Sequence, residues 1–530
     1  MKSTAKRITV SILSALLIFV FLLSACSPAV TTQEPEDDSV TLIYSVKGTE
    51  SGKIEGEAIQ KVAAGESGTK VRAVANEGFV FNCWSDGLLS SERTDIAEKD
   101  FAVSAIFRAL NSPKLIITTD DGNGIYSTSE YEGASISIEG AVSKKDNIKD
   151  VPAQVRGRGN SSWETPWWSF SYESKNSYRI KFDEKQQLLS IGDSKKRNWV
   201  LYANKFDGSM LRNWTMWRLA QLMGTIGYYT DCTWVDLYIN EEYRGVYLLC
   251  EQIEVGKDRV EVDDTWDAEA RDTGFLVELD FRGSSEGKKD VDWFHISGFA
   301  ENESNKREWV VKSEHEDPKQ FNFVKNYFQK THDTIMTGNR EEIEKLVDIP
   351  SFVDMFIIEE LSKDCDVGGA SMFFSRDKGG KLAFTAPWDF DFGMGVYGNH
   401  WQEMEIEYLV TELPSGNPWL VALYAQDWFK DLLIERLANL RPQFEQMLGE
   451  LKEAGKGLTP AADRNDELWG IYGNNFHVYV SYETSGALNS FEEHYMFLHD
   501  FLKDRYDWIE GYLKGEITIE EEEHYGRHSH

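Results

Sequence analysis

Two carboxylates stand two residues apart in the stretch Pro387-Trp388-Asp389-Phe390-Asp391-Phe392-Gly393. Beside a Trp and two Phe, an ionised carboxylate loses solvation. It keeps its charge only against a cation, a set of hydrogen-bond donors or a shifted pKa. The preceding run, Lys381-Leu382-Ala383-Phe384-Thr385-Ala386, leaves a Gly379-Gly380 turn and reads as a strand. Asp389 and Asp391 therefore fall where a strand ends and a glycine-containing loop begins. A second acidic pair, Asp364 and Asp366, closes a helical pattern upstream. Acids converging from two elements suit a hard divalent cation, and Mg²⁺ commonly arrives with substrate phosphates. Capping or salt-bridged aspartates would leave the same pattern.

Cations with a matching chemistry lie upstream. In Arg156-Gly157-Arg158-Gly159-Asn160-Ser161-Ser162, glycine allows close backbone approach and guanidinium offers planar, charge-assisted bonds to phosphate or carboxylate. No Gly-Lys-Ser/Thr follows, so this is neither a Walker A loop nor a G-x-G-x-x-G. A structural turn with surface arginines is the plain alternative. In Tyr178-Arg179-Ile180-Lys181-Phe182, alternation puts Arg179 and Lys181 on one face of a strand. That face suits phosphates, or simply solvent at a sheet edge. Asp207 reads as the N-terminal cap of a helix over Ser209–Met223, with Arg212 and Asn213 one turn in.

The elements that must position these groups are mixed. Strands are predicted at Leu115–Thr119, Ala134–Ile138, Val151–Arg156, Ser177–Phe182, Trp199–Ala203 and Gly274–Asp280, with a hairpin of Thr233–Ile239 and Gly245–Cys250 turned at Asn240-Glu241. Helices are predicted at Phe321–Thr337, Arg340–Leu346, Ser351–Lys363, Pro418–Lys452 and Ser490–Lys514. A β-rich half feeding a helical half implies an α+β, two-lobed body with a cleft, spanning 113–515. Before it, 40–110 reads as a small all-β module. Its Asn76–Phe81 and Trp84-Ser85-Asp86-Gly87 stretches resemble the divergent InlB B-repeat modules of bacterial surfaces, which implies a spacer.

At the start, Lys2, Lys6 and Arg7 precede an apolar run from Ile8 to Leu23 and then Leu23-Ser24-Ala25-Cys26. This reads as a secretory signal over 1–26. It resembles the lipobox of bacterial lipoproteins, which implies lipidation of Cys26, a membrane anchor through its acyl chains and an extracytoplasmic place at the cell surface. Residues 27–39 are Ser/Thr/Pro-rich and acidic, a solvated tether, and 516–530 form a polar tail. The net charge of −33 argues against nucleic acid as a partner, since such surfaces are basic. Cys83, Cys232, Cys250 and Cys365 show no CxxC or Cys/His spacing, which speaks against structural zinc. Cys232 and Cys250 flank the hairpin, and their spacing leaves a disulfide open.

Taken in order, RGRGNSSW, YRIKF, NWVLYANKFDGSMLRN, VDLYINEEYRGVYLLCEQIE, GFLVELD, SFVDMFIIEELSKDCD and PWDFDFGMG resemble the CotH family of atypical protein kinases. The resemblance implies a reduced kinase-like fold that binds ATP with Mg²⁺ (or Mn²⁺) and phosphorylates Ser/Thr of an exported protein substrate. It implies Asp366 as the catalytic base, Asp389 as a metal ligand, and Asp391 as a further ligand or a support. Arg158 and Lys181 would meet phosphate, and Glu251 would stand at the adenine-holding hinge. Ser371 takes the place where ordinary kinases carry a metal-binding Asn, a weaker ligand. No HRD motif and no activation loop are present. The alternative is a non-catalytic, kinase-like binding or assembly protein of the cell surface. Paired acids among 17 Trp would also suit glycoside hydrolysis, but that chemistry leaves the RGRG and Arg/Lys strands without a purpose.

Overall fold

The computed structural model describes residues 39–47, 51–76, 79–88, 90–109, 112–159, 163, 175–280, 293–299, 307–315, 317–364, 366, 368–396, 406–412, 416–473 and 487–518. Cys26 with its signal, the tether up to 38, Asn160–Ser162, Cys365 and the tail beyond 518 lie outside these residues. The first strands are β1 (Ser39–Val46), β2 (Gly52–Glu55), β3 (Ile59–Ala63), β4 (Val71–Ala75), β5 (Phe79–Trp84), β6 (Glu92–Arg93) and β7 (Phe101–Ala109). They form a four-stranded sheet ordered β3-β1-β7-β5 and a three-stranded sheet β2-β4-β6. Alternation along β1 buries Val40, Leu42 and Tyr44. The Arg93 guanidinium lies 5.0 Å from the buried Trp84 ring and is held by Asp86 and Asp95.

A closed barrel follows, built from β8 (Lys114–Thr119), β9 (Glu132–Glu139), β10 (Ile148–Arg158), β11 (Ser177–Gln186), β12 (Lys196–Tyr202), β13 (Cys232–Ile239) and β14 (Glu242–Glu251). Its order is β10-β11-β12-β14-β13-β8-β9, closed by β9–β10 pairing. Closure removes sheet edges. Val155, Ile180, Phe182, Trp199, Leu237, Tyr247 and Leu249 fill the interior. The β13–β14 turn is Asn240-Glu241, with φ of 49° and 69°, the left-handed pair that a two-residue hairpin requires. Cys232 and Cys250 stand directly opposite one another across this hairpin, and both thiols are free.

Between β12 and β13 runs helix α1 (Arg212–Met223), three residues shorter than the sequence predicts. Residues 209–211 form a turn instead, because Met210 sits at φ 53° and Asp207 draws the backbone back. The remaining elements are β15 (Phe275–Asp280), β16 (Trp293–Phe294), β17 (Glu308–Val311), α2 (Pro318–Ile335), α3 (Arg340–Leu346), α4 (Ile349–Ser362), β18 (Met372–Arg376), β19 (Ala383–Ala386), α5 (Pro418–Tyr424), α6 (Asp427–Trp469) and α7 (Phe491–Leu513). A second sheet, β16-β17-β15-β18-β19, packs with these helices. Helix α4 is buried on nearly every side, mostly through apolar residues, and takes Asp354, Glu359 and Glu360 into the interior with it. The chain is thus a mixed α+β protein.

The single helix expected over Pro418–Lys452 is two. Gln426 is extended and packs on Gly338, and Asp427 then starts a helix that runs to Trp469. It continues through Pro442 and Pro460, each of which costs a backbone bond. Packing offsets that loss: a Cβ on Gly455 would lie 2.6 Å from the Tyr495 ring, so the glycine lets α7 approach closely.

Candidate active site

β18 and β19 are antiparallel with Phe373 opposite Ala386, so Ser371 before one strand and Asp389 after the other emerge side by side. The Ser371 hydroxyl donates to Asp389 Oδ2 at 3.4 Å, and the Tyr202 hydroxyl donates to Oδ1. Ser371 and Asp389 both have left-handed backbones, φ 61° and 71°. Such strain in non-glycine residues gathers where function over-determines the fold. Burial pushes the Tyr202 phenol far up, helped by the charges of Asp389 and Asp391, so it stays a donor. The Arg158 guanidinium lies 4.8 Å from the Trp388 ring and 5.9 Å from Tyr202. Trp388 in turn stacks on Trp217 of α1 at 5.2 Å.

The start of α1 grips the loop that carries the two aspartates. Asn213 Oδ1 accepts the Phe390 N–H at 2.9 Å. Arg212, fully buried, donates to the carbonyls of Gly393 (3.2 Å) and Met394 (3.1 Å) and pairs with the buried Asp207 carboxylate. Asp207 also accepts the backbone N–H groups of Ser209 and Arg212. The N-cap position itself is Leu211, so Asp207 takes the first helical N–H from outside the helix and anchors the Arg212 side chain as well. On the other side, Met394 N–H donates to Ser362 O at 2.6 Å, and a Cβ on Gly393 would lie 2.5 Å from that oxygen. Gly393→Ala must push loop and helix α4 apart. It is expected to cost about 1–3 kcal/mol in urea unfolding.

Helix α4 ends at Ser362 and Lys363 turns left-handed at φ 45°. Asp364 is buried and its Oδ1 accepts the Asp366 N–H at 3.1 Å. Burial raises the Asp364 carboxyl well above the carboxylate range, with Asp366 and Glu359 adding to it. Glu359 is itself pushed up to about 8 by burial, then by Glu360. Asp364 is thus closed off from the cleft by burial, whereas Asp366 is half-exposed. Asp391 is buried too, and burial, then Asp389, raises its carboxyl well above the usual value. Among the described residues, no three His, Cys, Asp or Glu side chains converge to hold a metal ion. The Asp389 and Ser371 oxygens nevertheless fit a hard cation of the Mg²⁺ or Mn²⁺ kind that draws its other ligands from phosphates and water.

The cations divide. Arg158 stands at the Asp389 corner, in register with Ser177. Lys181 pairs with Gln154, four residues further along, about 13 Å away by strand rise. It is exposed beside Tyr131 and does not join Arg158. Lys175 was not anticipated. It is buried, its Nζ has no hydrogen-bond partner among the described residues, and it lies 5.3 Å from the Tyr247 ring. Burial pushes its pKa down to about 7, against the opposing charge of Asp207. The only signal was its spacing, on the same alternation as Arg179 and Lys181. Between about pH 7 and 10.5 the unfolded chain binds this proton more tightly, so the penalty is full below pH 7 and fades as pH rises. Lys175→Met is expected to stabilise the protein by about 2–4 kcal/mol at pH 6.5 and far less at pH 10. Glu251 is engaged internally: it accepts from Tyr228 (3.1 Å) and Arg259 (3.4 Å), and burial raises its pKa.

No curated protein matches the chain. A solved structure entitled Shewanella oneidensis MR-1 Toxin Antitoxin System HipA, HipB and its operator DNA complex aligns over 69% of this chain and 75% of its own. The identity is 10% and the TM-score 0.26. The family model described as CotH kinase protein matches residues 155–509, from the RGRG strand through most of α7. With two thirds of its length so matched, the chain belongs to the CotH family of kinase proteins.

Proposed function

We propose that this protein is an ATP-dependent kinase that transfers the γ-phosphate to Ser/Thr of an exported or surface protein. The observation that carries this reading is the corner where Asp389, Ser371, Tyr202 and Arg158 meet. Phosphoryl transfer is mostly positioning and charge stabilisation, with a base to orient the acceptor. Arg158 would hold phosphate, with Lys175 as a second cation once an anion offsets its burial. Asp366 would accept the acceptor hydroxyl's proton. Asp389 and Ser371, with Asp391 behind them, would hold Mg²⁺ or Mn²⁺, which neutralises charge between phosphates. Glu251 would support the adenine-holding strand through Tyr228 and Arg259.

In this reading the barrel and the helical body with its second sheet are the two lobes of a reduced kinase fold over 113–515. The β module (40–110) is a spacer, and 1–26 is a signal ending in lipidated Cys26. The tether (27–39) and polar tail (516–530) flank the folded parts, and the protein acts outside the cytoplasm on a membrane anchor. The weak ligand at Ser371 favours the alternative, a kinase-like binding protein without catalysis. Residues 41–530 would be melted with and without ATP plus Mg²⁺ or Mn²⁺, and γ-phosphate transfer followed separately. A ligand-bound native state melts higher. Absence of a metal-dependent shift would sink the kinase reading, and a shift without transfer would favour the non-catalytic binding protein.

A further inference from the structure

Arg307, just before β17, belongs to none of the motifs above. β17 pairs with β15, which pairs with β18, so the start of β17 and the start of β18 lie at one end of the second sheet. This is the end that carries Ser371 and the loop from Asp366. From there the Arg307 Nε–H donates to the Gly368 carbonyl at 2.9 Å. The guanidinium lies flat against Gly369, where a Cβ would come within 2.7 Å of its central carbon. Its own carbonyl is held by His295 Nδ1 at 2.9 Å. The loop is closed on itself by two backbone bonds, from Gly369 and Ala370 to the Asp366 carbonyl. Burial lowers the Arg307 pKa and the Asp366 charge opposes that change, so the two charges sense each other.

We propose that Arg307 is a positioning residue that fixes the loop carrying Asp366, and that Gly369 is glycine to admit its guanidinium. The inference rests on the kinase reading for its effect on catalysis, and on geometry alone for its effect on the loop. Arginine suits the task because its planar fork bonds a carbonyl through Nε while lying flat on the next peptide, which a lysine ammonium cannot do. A base displaced by an ångström loses rate without losing nucleotide affinity.

The test compares Arg307→Gln, Arg307→Ala, Gly369→Ala and the Arg307→Gln/Gly369→Ala double variant with the wild type. Expected are a kcat lowered about 10–100-fold, a KM for ATP within about twofold, and partial rescue of Arg307→Ala by millimolar guanidinium. Gly369→Ala should reproduce the Arg307→Gln defect, and the double variant should be no worse than either. Hydrogen exchange over residues 364–372 should quicken in each variant while Tm changes little. Exchange does not depend on catalysis, so a wild type without transfer activity would sink the kinase reading and leave this inference decided by the loop. Wild-type exchange in Arg307→Gln, or additive losses in the double variant, overturns it.

Discussion

Asp389→Ala is expected to abolish the melting shift that ATP with Mg²⁺ or Mn²⁺ confers, and γ-phosphate transfer with it. Asp389 brings a carboxylate that is not deeply buried, and Tyr202 and Ser371 both orient it. Asp391 is buried behind it, and burial, then the Asp389 charge, raises its carboxyl well above the usual value, so carrying a second charge there costs more. Asp366→Asn should behave differently: the metal–nucleotide shift stays, and transfer falls by about 10²–10⁴, the usual worth of a positioned base. Calorimetry or dye-monitored melting gives the first quantity and single-turnover transfer the second. Equal losses of binding in both variants would contradict the division of roles.

Arg212→Ala should be the most destabilising single change, by about 3–5 kcal/mol. It leaves the fully buried Asp207 carboxylate without its cation and orphans the Gly393 and Met394 carbonyls. Urea unfolding should show a lower midpoint at unchanged slope. Pairing Arg212→Met with Asp207→Leu should recover part of the loss, since removing both charges avoids an unpaired one. The double variant should still bind metal–nucleotide poorly, because the clamp on the aspartate loop is gone. A loss below about 1 kcal/mol would mean that the ion pair is solvated.

Much of this was legible in the sequence, and the failures have physical causes. Barrel strands and the Asn240-Glu241 turn follow from alternation and local turn chemistry, which need no knowledge of the rest of the fold. The break at Gln426 and the run through Pro442 and Pro460 do not, because packing on Gly338 and Tyr495 outweighs local propensity. Asp389, Asp366 and Arg158 were singled out through motifs, and Asp389 and Arg158 do lie at one corner with Tyr202. Lys175 was not singled out, since its burial depends on contacts far along the chain, and Lys181 looked equally suitable on alternation alone. Arg212 and Asn213 were visible as residues but not as a clamp, for their partners lie some 180 positions downstream. Sequence spacing carries no trace of such a contact.

In the first module, β1 and β7 run parallel, Leu42 opposite Phe101 and Val46 opposite Ala105. The chain enters at the start of β1 and leaves from the end of β7, at opposite ends of a parallel pair. A pull on the two ends would therefore slide these strands along each other and load their ladder bonds together, not unzip them one by one. Several ladder bonds must then break together before the module can lengthen, so it would pass a pull on to the body behind without itself extending.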